Sequence, residues 1–134
     1  MLIVLPAFAI DKVIEIVPNH VDAISYSPTK DGYCVSFVKA YGYQQYSGDA
    51  WKWTAFINSS VPVIGAVVVL DEGSLDHLAI VTGFSSTSLD LVEQNFEGFG
   101  IVSTRSIDRY GGDVRGYVVH WWHVLAQAEA KIAY

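Results

Sequence analysis

The groups in this 134-residue chain with chemistry to offer are one cysteine, four histidines and an acid–amide pair. That pair, Glu93 and Asn95, stands two residues apart in "VEQNF". Together they are the parts of a nucleophilic site. A thiolate that attacks a carbonyl needs an imidazole to take its proton and later deliver one to the leaving amine. The imidazole in turn needs a carboxylate or amide on its second nitrogen to hold one tautomer.

Each part also has a plain reading. Free cysteine is among the most buried residue types and commonly acts as a small hydrophobe. Cys34, in "DGYCVSFV", has a setting that favours chemistry, because it follows a glycine-containing turn and opens a helix. There the helix dipole stabilises a thiolate by about 0.3–1 kcal/mol. The unpaired N–H groups of the first turn are also placed to receive an oxyanion. Among the histidines, His20 lies beside Pro18 and Asn19 and reads as a surface residue. His120 and His123 flank "WW" and read as core or interface. His77 opens the strand-like run "HLAIVTGF", where a side chain is held rigidly and stays accessible. Position favours His77 as the base. Glu93 and Asn95, at i and i+2 of a strand, would share one face and one partner; as ordinary polar residues they would face solvent.

The elements that must position these groups follow from spacing. "SPTKDG" (27–32) is a turn. Cys34, Phe37, Val38 and Tyr41 recur at i, i+3, i+4 and i+7, which predicts an amphipathic helix ended by Gly42, with Asp31 available as its cap. "SGDAWKWTAF" (47–56) predicts a second short helix. Beyond Pro62 come "GAVVVL" (65–70), "HLAIVTGF" (77–84), "SLDLVEQNF" (88–96), "GIVSTRSI" (100–107) and "GYVVHWW" (116–122). Glycine, serine and aspartate separate them, predicting an antiparallel meander. Helices first and strands afterwards make an α+β architecture. The expected organisation is one domain over 1–134, with 1–30 an N-terminal extension and a C-terminal helix in 119–134.

Composition closes other routes. A chain that is 51% hydrophobic and 16% charged is not disordered. Its net charge of −6, with no cluster of Lys or Arg, speaks against nucleic acid and anionic membrane as partners. The opening "MLIVLPAFAI" is half the roughly 20 residues a membrane span needs, and it lacks the positive start of a secretory signal. It is expected to pack as a strand or short helix. One cysteine closes no internal disulfide. No CxxC, HExxH or phosphate-binding glycine loop is present.

In order along the chain, "GYCVSFV", "SGDAWKWTA", "VPVIGAVVVLDEG", "DHLAIVTGF", "VEQNFEG" and a closing "GYV" form a series. From about Asp31 to Val118 it resembles the CHAP domain, the cysteine/histidine-dependent amidohydrolase/peptidase group of the papain-like superfamily. The resemblance implies a papain-like α+β fold, with the nucleophile at a helix start packed on an antiparallel sheet. It implies Cys34 as nucleophile, His77 as general base, Glu93 as the polar third member and Asn95 lining the site. Trp51 and Trp53 match the family's tryptophan position, with Trp53 reading as core. Tyr41, Tyr43, Tyr46 and Trp51 offer stacking surface for glycan or peptide.

The chain departs from the family pattern beside both reacting residues. Tyr33 precedes the cysteine where many members have Gln, which leaves backbone N–H groups as oxyanion donors. Asp76 precedes the histidine where many have Gly, and its charge would raise the His77 pKa if the two approach. Some members hold calcium through several aspartates upstream of the cysteine. Here "SYSPTKDG" offers only Asp31, so no calcium, other metal or cofactor is expected.

The implied activity is that of a peptidoglycan hydrolase, a phage or bacterial lysin. It would cleave the muramoyl–L-alanine amide or a bond of the stem or cross-bridge peptide. It would work outside the cell or on a phage particle, alone or with other subunits of a lytic or virion assembly. Two other readings stay open: an amide or isopeptide hydrolase acting outside the wall, and a catalytically silent binding protein in which Cys34 is incidental.

Overall fold

The computed structural model describes residues 26–120, and the expectations for the opening apolar run and the C-terminal helix lie outside them. The described chain begins with the turn before the cysteine. Gly32 takes a left-handed φ of 77°, and a Cβ there would stand 2.9 Å from the Phe99 ring, so only glycine fits. Helix α1 follows over Cys34–Val38 and buries Cys34, Phe37 and Val38. It continues as a π-helical turn, Lys39–Tyr43, in which Tyr41 and Gly42 leave helical geometry. Gly42, at φ 118°, ends the helix as its position predicts.

The second helix is a 3-10 helix, Ala50–Phe56. Its three-residue period puts Ala50, Trp53 and Phe56 on one face. Trp53 is fully buried and its indole N–H donates to the Gly48 carbonyl at 3.1 Å. Truncating it to alanine would cost ~3–5 kcal/mol.

Five strands form one antiparallel sheet: β1 (Val67–Leu70), β2 (His77–Phe84), β3 (Ser88–Gln94), β4 (Val102–Asp108) and β5 (Val114–Val118). Their order is β4-β3-β2-β1-β5. The first four make the expected meander. The fifth departs from it, crossing to the far edge to pair with β1, Val67 opposite Val118 and Leu70 opposite Val114. The reason is visible in β1 itself. "VVVL" has no polar residue and is buried on both faces, so it belongs inside a sheet with its backbone paired on both sides.

The alternation of β1 and β2 divides the core. Val68, Leu70, Ala79, Val81, Leu89 and Leu91 pack together. Val67, Val69, Leu78, Ile80 and Val92 pack in a second cluster with Phe37 and Trp53 of the helices. Each fully buried aliphatic side chain contributes about 1.5–3 kcal/mol of transfer free energy. Helices on one face of the sheet thus carry Cys34 toward the strand ends that hold His77 and Glu93.

Candidate active site

The site assembles where α1, the start of β2 and the end of β3 converge. Cys34 is the first residue of α1, His77 the first of β2, and Glu93 the penultimate residue of β3. All three are nearly enclosed, with relative exposures of 8%, 7% and 0%. His77 Nε2 donates to Glu93 Oε1 at 2.8 Å. Cys34 lies close enough to the same imidazole to favour its charged form, and with Nε2 given to Glu93 it is Nδ1 that is left to face the sulfur. The arrangement is a thiol, an imidazole and a carboxylate in series.

The electrostatics follow from that series. Burial alone presses His77 toward its neutral form. The interactions of the imidazole with Cys34 and Glu93, which accept from its charged form, outweigh burial and raise it to about 9. Burial would likewise raise Glu93, but His77 and Arg105 hold it below the usual carboxylate range. At neutral pH the pair is therefore imidazolium facing carboxylate.

The carboxylate is held from behind by a residue that the sequence did not single out. Arg105 of β4 donates through Nε to Glu93 Oε2 at 2.7 Å and through Nη2 to Oε1 at 3.0 Å. Its other edge takes Glu72, with Nη1 at 3.0 Å from Oε2 and Nη2 at 2.6 Å from Oε1. The Phe96 ring lies over the guanidinium, 3.5 Å from centroid to Cζ, and 6.1 Å from the His77 ring.

Gln94, fully buried beside Glu93, serves the cysteine instead. Its carbonyl accepts the Thr29 N–H at 2.8 Å, and its amide donates to Thr29 Oγ1 at 2.7 Å and to the Tyr33 carbonyl at 2.8 Å. The loop leading into α1 is thereby tied to β3. Asp31 is engaged in the same loop, accepting the Tyr33 N–H at 3.1 Å and the Ser36 hydroxyl. Tyr33, not Asp31, occupies the cap position of α1, and no side chain caps it there.

A cleft of about 750 Å³ opens over this array. Cys34, His77, Asn95, Tyr33 and Asp76 line it, joined by Lys52, Glu72, Leu75 and Phe96. Asn95 reaches the cleft by a route other than the expected one. It lies beyond the end of β3 with φ 71°, so strand alternation does not relate it to Glu93. Asp76 also has a left-handed φ, 63°, and its carboxylate is taken by Arg115 Nε at 3.1 Å. The shift of His77 comes from Cys34 and Glu93, and Asp76 is not among its causes.

The four aromatic residues expected to offer stacking surface to substrate stand outside the cleft lining. Tyr41 packs its ring against Tyr26 and Phe37, and its hydroxyl accepts the Ser27 N–H at 2.7 Å. Trp51 is 50% exposed on the outer face of the 3-10 helix, because the period that buries Ala50 and Trp53 turns it to solvent. Tyr43 is buried and donates to the Gly65 carbonyl, and Tyr46 packs on Trp53 and Phe56. Among the described residues no group of three or more His, Cys, Asp or Glu is arranged to hold a metal ion.

Arg105 is visible in the sequence only as one of several scattered basic residues. The register reveals it: Glu93 pairs with Ser103 and Leu91 with Arg105, so Arg105 reaches its carboxylate diagonally across two strands.

A helix-borne thiol beside a strand-borne imidazole and carboxylate, on an α+β scaffold, defines a papain-like class of site. The family model of the CHAP domain matches residues 24–95, more than half the chain, and the chain belongs to that family. The matched span contains Cys34, His77, Glu93 and Asn95 and stops before Arg105. Among solved structures, the fold is similar to the crystal structure of Ly7917, at 20% identity and TM-score 0.53 over 78% of this chain and 60% of that one. It is similar to Ly7917 with the hydrolyzing product of MDP, at 19% identity and TM-score 0.54 over 78% and 61%. A third is an N-acetylmuramoyl-L-alanine amidase from Staphylococcus aureus, at 24% identity and TM-score 0.50 over 64% and 32%. The chain thus spans less than two thirds of the length of each of these structures. No curated protein matches it in sequence.

Proposed function

We propose that the chain is a cysteine-dependent peptidoglycan hydrolase that cleaves an amide bond of the cell wall. The observation that carries this reading is the series Cys34–His77–Glu93, whose first two members line an open cleft while Glu93 is buried behind them. Family membership supports it, as does the likeness to an N-acetylmuramoyl-L-alanine amidase and to Ly7917 with the hydrolyzing product of MDP.

In the mechanism, Cys34 Sγ attacks the amide carbonyl and the carbonyl oxygen takes up negative charge. The first-turn N–H groups of α1, which a helix leaves without internal partners, receive that charge. His77 passes its Nδ1 proton to the leaving amine, the C–N bond breaks, and a thioester to Cys34 remains. Water then attacks the thioester while the now neutral His77 takes its proton, the C–S bond breaks, and the thiolate–imidazolium pair is restored. Glu93, bonded to Nε2, keeps the ring in place and favours its charged form. The amide is the muramoyl–L-alanine bond or one in the stem or cross-bridge peptide. The protein would meet it outside the cell or from a phage particle.

The test is digestion of purified peptidoglycan by the wild type and by Cys34→Ala. Wild-type release of new amino groups, absent in the variant, supports the reading. The new N-terminus identifies the bond, alanine on the stem for an amidase and an internal residue for an endopeptidase. No release from any wall type, together with Cys34 labelling by iodoacetamide that is indifferent to His77→Ala, would overturn it.

A further inference from the structure

We propose that Arg105 is a positioning residue of this site, fixing Glu93 in the orientation that aims its Oε1 at His77. The inference rests on the reading of Cys34 and His77 as the reacting pair.

The geometry carries it. Glu93 is wholly buried, and a buried carboxylate must find its partners inside the protein. Ser103 stands directly across from it on β4, yet its buried hydroxyl has no partner among the described residues and does not serve Glu93. The donors are His77 on one side and Arg105 on the other. Arg105 grips both oxygens at once, so the carboxylate cannot swing about its own axis without breaking two charge-assisted bonds.

Arg105 is itself over-determined. Its outer edge is locked by both oxygens of Glu72, and its face is covered by Phe96. Three elements therefore converge to fix one guanidinium: β3 through Glu93, the β1–β2 loop through Glu72, and the turn after β3 through Phe96. Lysine keeps the charge but has no planar fork to span these partners.

Glu93 faces a defined set of charges. His77 comes from β2 with Cys34 of α1 behind it, and Arg105 comes from β4 with Glu72 of the β1–β2 loop behind it. Asp76, adjacent to His77, is taken up by Arg115 together with Asp71. Removing Arg105 strips Glu93 of its only bonded cation other than His77 among the described residues. That favours the protonated carboxyl, and a neutral Glu93 no longer supports an imidazolium. Labelling of Cys34 by the thiolate–imidazolium pair then begins at higher pH.

The experiment follows iodoacetamide alkylation of Cys34 against pH in the wild type, Arg105→Gln, Arg105→Lys, Glu93→Gln and the Glu93→Gln/Arg105→Gln double variant, with folding checked by circular dichroism. The acid limb is expected to rise by about one unit in Arg105→Gln, a roughly tenfold loss of rate on its acid side, and by less in Arg105→Lys. In the Glu93→Gln background, Arg105→Gln is expected to move nothing further. An unmoved limb in a folded Arg105→Gln protein overturns the proposal, even if its melting temperature falls. A further shift in the Glu93→Gln background overturns it too, because Arg105 would then act other than through Glu93. Should Arg105→Gln not fold, Arg105→Lys takes its place and an unmoved limb there is decisive. A wild-type limb indifferent to His77→Ala refutes the Cys34–His77 pair itself, a result distinct from failure of Arg105 alone.

Discussion

Glu93 and Gln94 are successive residues of β3, both fully buried, and they hold opposite halves of the site by different forces. Gln94 ties the loop before Cys34 with three neutral hydrogen bonds. Glu93 holds His77 through charge, with Arg105 and Glu72 behind it. A neutral amide grips equally at every pH, whereas a carboxylate grips more strongly when its partner is charged. The nucleophile thus sits on a support indifferent to acidity, and the base sits on one that responds to it.

The largest effect should come from removing either reacting group. Cys34→Ala and His77→Ala are each expected to lower hydrolysis of peptidoglycan by 10³-fold or more, and the double variant by no more than the single ones. Initial rates on a soluble fragment would show this, and additive losses would mean that the two halves do not act as a unit. Next, Gln94→Leu leaves the Thr29 N–H and Tyr33 carbonyl without their partner, at a cost of ~2–3 kcal/mol. Urea unfolding measures this, and the pH profile of the surviving activity should keep its shape. A displaced profile would erase the contrast between the two clamps.

The pH dependence of stability sharpens the contrast further. His77 is raised from its ordinary 6.5 to about 9, so its contribution is complete below 6.5 and is lost as pH climbs through 9. Glu93 is lowered, so its contribution is present above the ordinary carboxylate range and is lost as pH falls through its folded value. Melting temperature should therefore decline between pH 6.5 and 9 in the wild type and flatten across that window in His77→Gln. The hydrolysis rate should hold until pH climbs through about 9, where the folded protein's His77 loses the proton it gives to the leaving amine. The smallest effect is expected at the rim. Arg115 bridges Asp71 and Asp76 at 3.1 Å, half-exposed, and Arg115→Ala should leave the urea midpoint nearly unmoved, because water and salt screen such a pair.

Much of this was legible before any coordinates. The helix starting at Cys34, its end at Gly42 and the five strands follow from period and punctuation, because each is a local consequence of neighbouring residues. His77 and Glu93 could be nominated for the same reason, as they stand at strand ends. What escaped was non-local. The crossing of β5 depends on a pairing between Leu70 and Val114 that no window of sequence contains. Arg105 and Glu72 become partners only through register and a loop. Residue type alone marks Trp51 and Tyr41 as contact surface, whereas helical phase turns one to solvent and packing draws the other into an aromatic cluster.

The crossing of β5 also sets an order of events for a chain leaving the ribosome. Cys34, His77, Glu93 and Arg105 are all synthesised before Val114, yet β1, whose Leu70 pairs with His77, lacks its second neighbour until β5 arrives. Long-range pairing of that kind is paid for in loop entropy and forms late. A nascent chain paused after β4 would carry every reacting side chain while β1 still lacked a partner along one edge.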